Sequence, residues 1–236
     1  MRGLVVALDA LAGLAERAGA GVSALATTAT LAELAGAEAV RVGVTEELRP
    51  VGELVLRDLR RAARALELRM APVPALVKVA LEARPDRVVL ASESRDGTGR
   101  PGPLDLRAWG SALAPCVRTL HEAGLGVVVR VAPDLEAVKA ARAADAGAVE
   151  IYTGSLVDLP EAERLRELER LADTARLAAK LRMRVALGGG LDPRSVPVFL
   201  EAVPVAERVV VGRAWAWQSA LVGVDRATRD LVDRLR

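Results

Sequence analysis

Two stretches near the end of the chain hold the residues best suited to grip an anion. RVALGGGLDPRSV runs from Arg184 to Val196, and RVVVGRAW from Arg208 to Trp215. In each, a short apolar run stops at glycine and opens into helical spacing. Glycine offers its backbone N–H with no Cβ in the way. A helix N-terminus adds unpaired N–H groups and the positive end of its dipole. Gly188, Gly189, Gly190, Gly212 and Arg213 are therefore candidate ligands for a phosphate, with Thr153 and Gly154 adding a hydroxyl and an N–H at the same rim. The alternative at the triple glycine is a tight turn and nothing more, and Thr153 and Gly154 would then simply end their strand.

Histidine and cysteine are scarce. The chain has one histidine, His121, and one cysteine, Cys116. A single cysteine excludes an internal disulfide and a cysteine-based metal cluster. A single histidine leaves little for metal binding or acid–base work. His121 falls at a helix end just before Ala123-Gly124, where it answers the C-terminal dipole. Cys116 reads as a small buried hydrophobe. Charge adds little: 33 basic against 31 acidic residues give a net charge of +2, and no basic patch is interleaved with aromatics, so a nucleic-acid surface is not expected. No apolar stretch reaches membrane-spanning length and no signal peptide is visible, so a cytoplasmic protein without membrane contact is expected.

The elements that must position these residues alternate along the chain. Strands are predicted at 4–9, 39–44, 66–71, 87–92, 126–132, 148–154, 184–189 and 208–212. Helical spacing lies between them, as in 50–65, where Val51, Leu54, Leu56, Leu59 and Ala63 are expected on one side. Asp134, Pro160 and Asp192-Pro193 mark helix starts. Eight such units predict a closed (β/α)8 TIM barrel in a single domain over residues 1–236, with an open doubly wound sheet as the alternative. Loops after strands seven and eight of such a barrel form a phosphate site. Strand alternation puts Glu150 with Tyr152, Glu67 with Arg69, and Arg41 with Gly43 on shared faces. The irregular stretch 92–103 reads as a functional lid or a disordered surface excursion. One of Trp215 and Trp217 is expected at a subunit contact, with a place in the core as the equal alternative.

Over essentially its whole length the chain resembles the pyridoxine 5'-phosphate synthase family. The resemblance is carried by AELAGAEAVRVGVTEE (32–47), VEIYTG (149–154), the Gly188–Gly190 loop and VVVGRA (209–214). It implies a barrel enzyme that condenses deoxyxylulose 5-phosphate with a phosphorylated amino-hydroxyacetone. Such an enzyme uses carboxylates and histidines at strand C-termini, works without metal or organic cofactor, and assembles as an octamer. The family's Asn-x-Asp-His pattern keeps only Asp9. Its second-strand histidine and following arginine fall on Gly43 and Thr45, and its third-strand glutamate falls on Arg69. The loop after strand four falls on Gly99, Arg100, Pro101, Gly102 and Pro103. The histidine of Glu-Ile-His-Thr-Gly becomes Tyr152, that of Gly-His-Gly becomes Gly189, and the Gly-His before strand eight becomes Glu207-Arg208.

Groups that move protons are lost while groups that shape the backbone stay. The expectation is a catalytically degenerate relative with a phosphate site at its C-terminal mouth. It would bind a phosphorylated small molecule and form a homo-oligomer, with no metal and no cofactor. Asp9 and Glu150 are the candidate catalytic residues. Arg69 is expected opposite Asp9 or Glu150, as an anion clamp or as an internal salt bridge, while Glu207 is expected to repel an anion at the mouth. Two alternatives stand beside this: an active enzyme with altered substrates, and a structural subunit whose mouth is plugged.

Overall fold

Every predicted strand forms, because each is a short β-branched or leucine-rich run bounded by turn residues. A computed structural model describes residues 2–21, 23–48, 50–93, 101–157 and 159–235. The strands are β1 (Gly3–Ala7), β2 (Ala39–Gly43), β3 (Leu66–Met70), β4 (Arg87–Leu90), β5 (Gly126–Val131), β6 (Ala148–Tyr152), β7 (Arg184–Gly188) and β8 (Arg208–Val211). All pair in parallel, and β8 returns to β1 to close the barrel in the order β1 to β8. The doubly wound alternative is thereby excluded. Several strands stop short of their predicted ends because the next residues begin helices, as Asp9 and Gly154 do.

The helices are α1 (Asp9–Arg17), α2 (Ser23–Leu34), α3 (Glu53–Ala62), α4 (Pro74–Ala83), α5 (Gly110–Glu122) and α6 (Leu135–Ala143), followed by α7 (Gly154–Val157), α8 (Glu161–Lys180), α9 (Ser195–Ala202), α10 (Arg213–Val222) and α11 (Val224–Asp233). Asp134 caps α6 by accepting from Ala137 N–H at 3.1 Å. Asp192 does the same for the turn into α9 through the N–H groups of Arg194 and Ser195. Helix α3 is shorter than expected and leaves Leu54 61% exposed, because residues 54 and 56 lie about 200° apart on a helix and cannot share its buried side. His121 lies in the last turn of α5, at the end of the barrel away from the strand C-termini. Trp215 is buried and donates its indole N–H to Thr228 Oγ1 at 3.0 Å, whereas Trp217 is 69% exposed. The two tryptophans thus split between core and surface.

The strands read apolar and polar in alternation, and the barrel sorts them. Val40, Val42, Leu66, Leu68, Val149 and Ile151 face the helices and join one continuous apolar core. The inward set is different. Val5, Ala39 and Val210 form one small apolar cluster and Val89, Val128 and Ala148 another. Buried alongside them are Arg41, Glu67, Arg130 and Glu150. Register puts Arg41 beside Glu67, and Arg130 beside Glu150. The barrel is filled by ion pairs as much as by hydrocarbon.

Candidate functional site

The C-terminal ends of the strands surround a mouth of about 570 Å³. Asp9, Arg69, Arg130 and Arg213 line it, together with the backbone of Gly189, Gly190 and Gly212. The strand-seven and strand-eight loops therefore do meet on one cavity. Gly212 ends β8 and caps α10, so the N-terminus of α10 and its first residue, Arg213, open on the mouth.

Asp9 stands at the N-terminus of α1, where a carboxylate suits the dipole. Its Oδ1 accepts the Gly43 N–H at 2.7 Å, and the Arg69 guanidinium reaches its two oxygens at 3.3 and 3.4 Å. Of the two partners expected for Arg69, the structure selects Asp9. Gly43 makes this geometry fit: a Cβ there would lie 2.0 Å from Arg69 Nη2 and 2.7 Å from Asp9 Oδ1. Where the resemblance places a histidine, Gly43 leaves space, and Arg69 occupies it.

Glu150 is fully buried and does not line the mouth. Arg130 holds its Oε1 through Nε at 2.9 Å and Nη2 at 2.6 Å. Arg41 Nη1 approaches Oε2 at 2.5 Å as an ion pair, outside hydrogen-bond alignment. Burial pushes the carboxyl pKa up, but Arg130 and then Arg41 outweigh it and bring it down to about 2. Burial likewise works against the charge of Arg41, while Glu150 and Glu67 hold its pKa above the ordinary arginine value. From Arg41 the chain of charges continues to Glu67 at 2.7 and 3.0 Å, and from Glu67 to Arg208 at 2.6 Å. Strand alternation puts Arg41 on the same face as Gly43 but does not pair it, and sequence reasoning misses Arg130 altogether. The polar position in GVVVRV is the signal that could have found it.

The triple glycine answers several demands at once. A Cβ on Gly188 would meet Glu150 Oε1 at 2.4 Å. Gly189 takes φ +116°, and its Cβ would strike the Tyr152 ring at 2.6 Å. Tyr152 also lies against Gly154, where a Cβ would fall 2.2 Å from the phenol oxygen. Two positions that the resemblance assigns to histidine, 152 and 189, have thus become one packed tyrosine over a glycine. Thr153 is buried and gives its hydroxyl to Gly189 O at 2.6 Å, so it braces the seventh loop instead of lining the mouth. Gly154, also buried, likewise lies outside the mouth lining.

Glu207 and Arg208 sit at the N-terminal end of β8, across the barrel from the mouth. The expected repulsion of a mouth anion by Glu207 therefore does not arise. Most of the irregular stretch after β4, residues 94–100 with Gly99 and Arg100 among them, lies outside the described residues. Beyond it, Pro101 O accepts from Arg130 Nη1 at 2.9 Å. Cys116 is buried, which raises its thiol to about 11 and removes it as a nucleophile at neutral pH. Among the described residues no three His, Cys, Asp or Glu side chains stand together as a metal site, and no helix is long and apolar enough to cross a membrane.

The fold and the mouth define a (β/α)8 barrel with a basic cavity at its strand C-termini. A likeness to solved barrels shows the same architecture and no more. The thiamine phosphate pyrophosphorylase of Pyrococcus furiosus superposes with a TM-score of 0.59 at 17% identity, over 98% of this chain and 94% of that one. Family-level similarity is more specific. The model of the pyridoxal phosphate biosynthesis protein PdxJ matches residues 4–236. The pyridoxine 5'-phosphate synthase of Desulforapulum autotrophicum is 32% identical over all of this chain and 99% of its own length. That of Pelobacter propionicus is 32% identical over 89% and 88%. The chain belongs to the PdxJ family.

Proposed function

We propose that this PdxJ-family barrel binds a small phosphorylated molecule at its mouth and no longer performs the family's ring closure. The observation that carries this is the refilling of the mouth. The space at Gly43 holds Arg69, the space at Gly189 holds Tyr152, and Glu150, buried outside the mouth lining, is kept an anion by two arginines. Condensation with loss of water needs groups that give and take protons near neutral pH. A carboxylate with a pKa of about 2 does neither. Arg69 and Arg213, by contrast, suit phosphate oxygens, and Gly189, Gly190 and Gly212 add backbone to the wall. The open 570 Å³ cavity speaks against a plugged mouth.

Calorimetric titration with sugar phosphates tests the binding half, and an assay for the ring-closure product tests the catalytic half. We expect heat and no turnover. Product at ordinary enzymatic rates would overturn the degenerate reading while leaving the family assignment intact. A second reading, an enzyme with altered substrates, draws support from Asp9, a carboxylate that does face the mouth. It requires that Asp9→Ala abolish a measurable turnover without unfolding the barrel.

The protein is further proposed to act as a cytoplasmic homo-oligomer. Leu14 on α1, Leu34 on α2, and Trp217 and Leu221 on α10 are all more than half exposed, and these helices adjoin one another. Light scattering of Trp217→Arg measures this: association should weaken, and an unchanged mass would remove this surface as the contact.

A further inference from the structure

A second basic cavity opens at the other end of the barrel. It measures about 580 Å³ and is lined by Arg2, Arg87, Arg184 and Arg208, with Glu38 and Glu207 as its acids. Three of these arginines are the first residues of β4, β7 and β8, and strand register aims them at the barrel axis. Their carboxylate supply is short. Glu67 Oε1 receives Arg208 Nη1 at 2.6 Å and is reached by Arg87 Nη1 only at 3.6 Å, while Glu67 Oε2 is already taken by Arg41. Glu38 is engaged by Arg208 Nη2. Arg184 is exposed and has no carboxylate partner among the described residues. Arg87 feels the crowding: burial, followed by Arg208 and Arg184, brings its pKa below the ordinary arginine value against the pull of Glu67 and Glu38.

We propose that this N-terminal cavity is a second anion site, separate from the mouth, that takes a phosphate-bearing small molecule between Arg87 and Arg184. Guanidinium forks match phosphate oxygens two at a time, and a multiply charged anion supplies the negative charge that Glu67 cannot share three ways. Arg208 stays with Glu38 and Glu67 and forms the floor. The buried ladder of Arg41, Glu67, Arg130 and Glu150 fills the barrel between the two cavities, so each site can be altered alone.

The test is calorimetric titration of the full chain with inorganic pyrophosphate at low ionic strength, where screening is least. Wild type is compared with Arg184→Ser, Arg87→Met and the mouth variant Arg213→Ser. Position 184 is exposed, so its substitution leaves the fold intact and keeps the test decisive if Arg87→Met does not fold. We expect Arg184→Ser to weaken one class of binding about tenfold, the loss of a charge-assisted contact, and Arg213→Ser to leave that class untouched. Binding that responds to Arg184 but not to Arg213 supports the proposal even if the mouth proves empty of phosphate. A single class lost with Arg213→Ser, or an adventitious ion only, indifferent to every substitution, overturns it. So does an Arg184→Ser variant that changes the melting temperature alone, because these arginines then merely answer the helix C-termini beside them.

Discussion

Two charge systems occupy this barrel, and they differ in tightness. In the ladder of Arg130, Glu150, Arg41 and Glu67, contacts run from 2.5 to 3.0 Å and the side chains are at most 5% exposed. At the mouth, Arg69 and Asp9 meet at 3.3 to 3.4 Å with 12% and 30% exposure. A buried pair cannot let go without stranding a charge in a dry interior, which makes it part of the architecture. A looser pair at the rim of a cavity can exchange its partner for water or for an anionic ligand at small cost. The same residue types are locked into the scaffold in one place and more loosely paired in the other.

The sharpest way to break this contrast is Glu150→Gln. It strands Arg130 and leaves Arg41 with Glu67 alone, and by analogy with other buried pairs should cost about 3–5 kcal/mol in denaturant unfolding. A loss below about 1 kcal/mol would place the ladder in the same category as the mouth. Acid provides an independent measure. The folded pKa of Glu150 lies below the unfolded value, so its contribution is complete above the ordinary carboxylate range and is lost as pH falls from about 4.5 through about 2. Stability followed over that window should decline, and Glu150→Gln should flatten the decline.

Gly189→Ala comes next. It forces a Cβ toward the Tyr152 ring at a φ that L-residues avoid, and should destabilise by about 1–3 kcal/mol. Tyr152→Leu in the same background should recover part of the loss, because it relieves the clash and leaves the backbone strain. The smallest effect concerns the mouth pair. Asp9→Asn removes a carboxylate that competes with an anionic ligand and should tighten pyrophosphate binding at the mouth a few-fold with stability changed by about 1 kcal/mol or less, whereas Arg69→Met should weaken that binding. Equal stability losses at position 9 and position 150 would erase the distinction.

Much of this is legible in the sequence. Eight β-branched runs separated by helical spacing give the strand number and the βα order, because backbone periodicity is local, while closure against an open doubly wound sheet is settled only by the pairing of β8 with β1. That Glu150 shares a face with Tyr152, Glu67 with Arg69, and Arg41 with Gly43 follows from alternation alone. The pairing does not. Arg69 is equally compatible with Asp9 and Glu150 in the sequence, and nothing there singles out Arg130, because contacts between strands depend on barrel stagger, which no single strand encodes. Glu207 is expected at the wrong end for a related reason: its neighbourhood to Gly212 in the chain is the length of a strand in space.

The amino-acid order by itself determined the (β/α) repeat, the glycine turns and the scarcity of histidine and cysteine, since each is a property of a residue or of its immediate neighbours. Tertiary structure alone decided which arginine holds which carboxylate, that Gly43 and Gly189 are the counterparts of Arg69 and Tyr152, and that a second basic cavity opens at the far end. Those are distances between residues brought together from separate strands by closure of the sheet, and closure is a property of the whole chain.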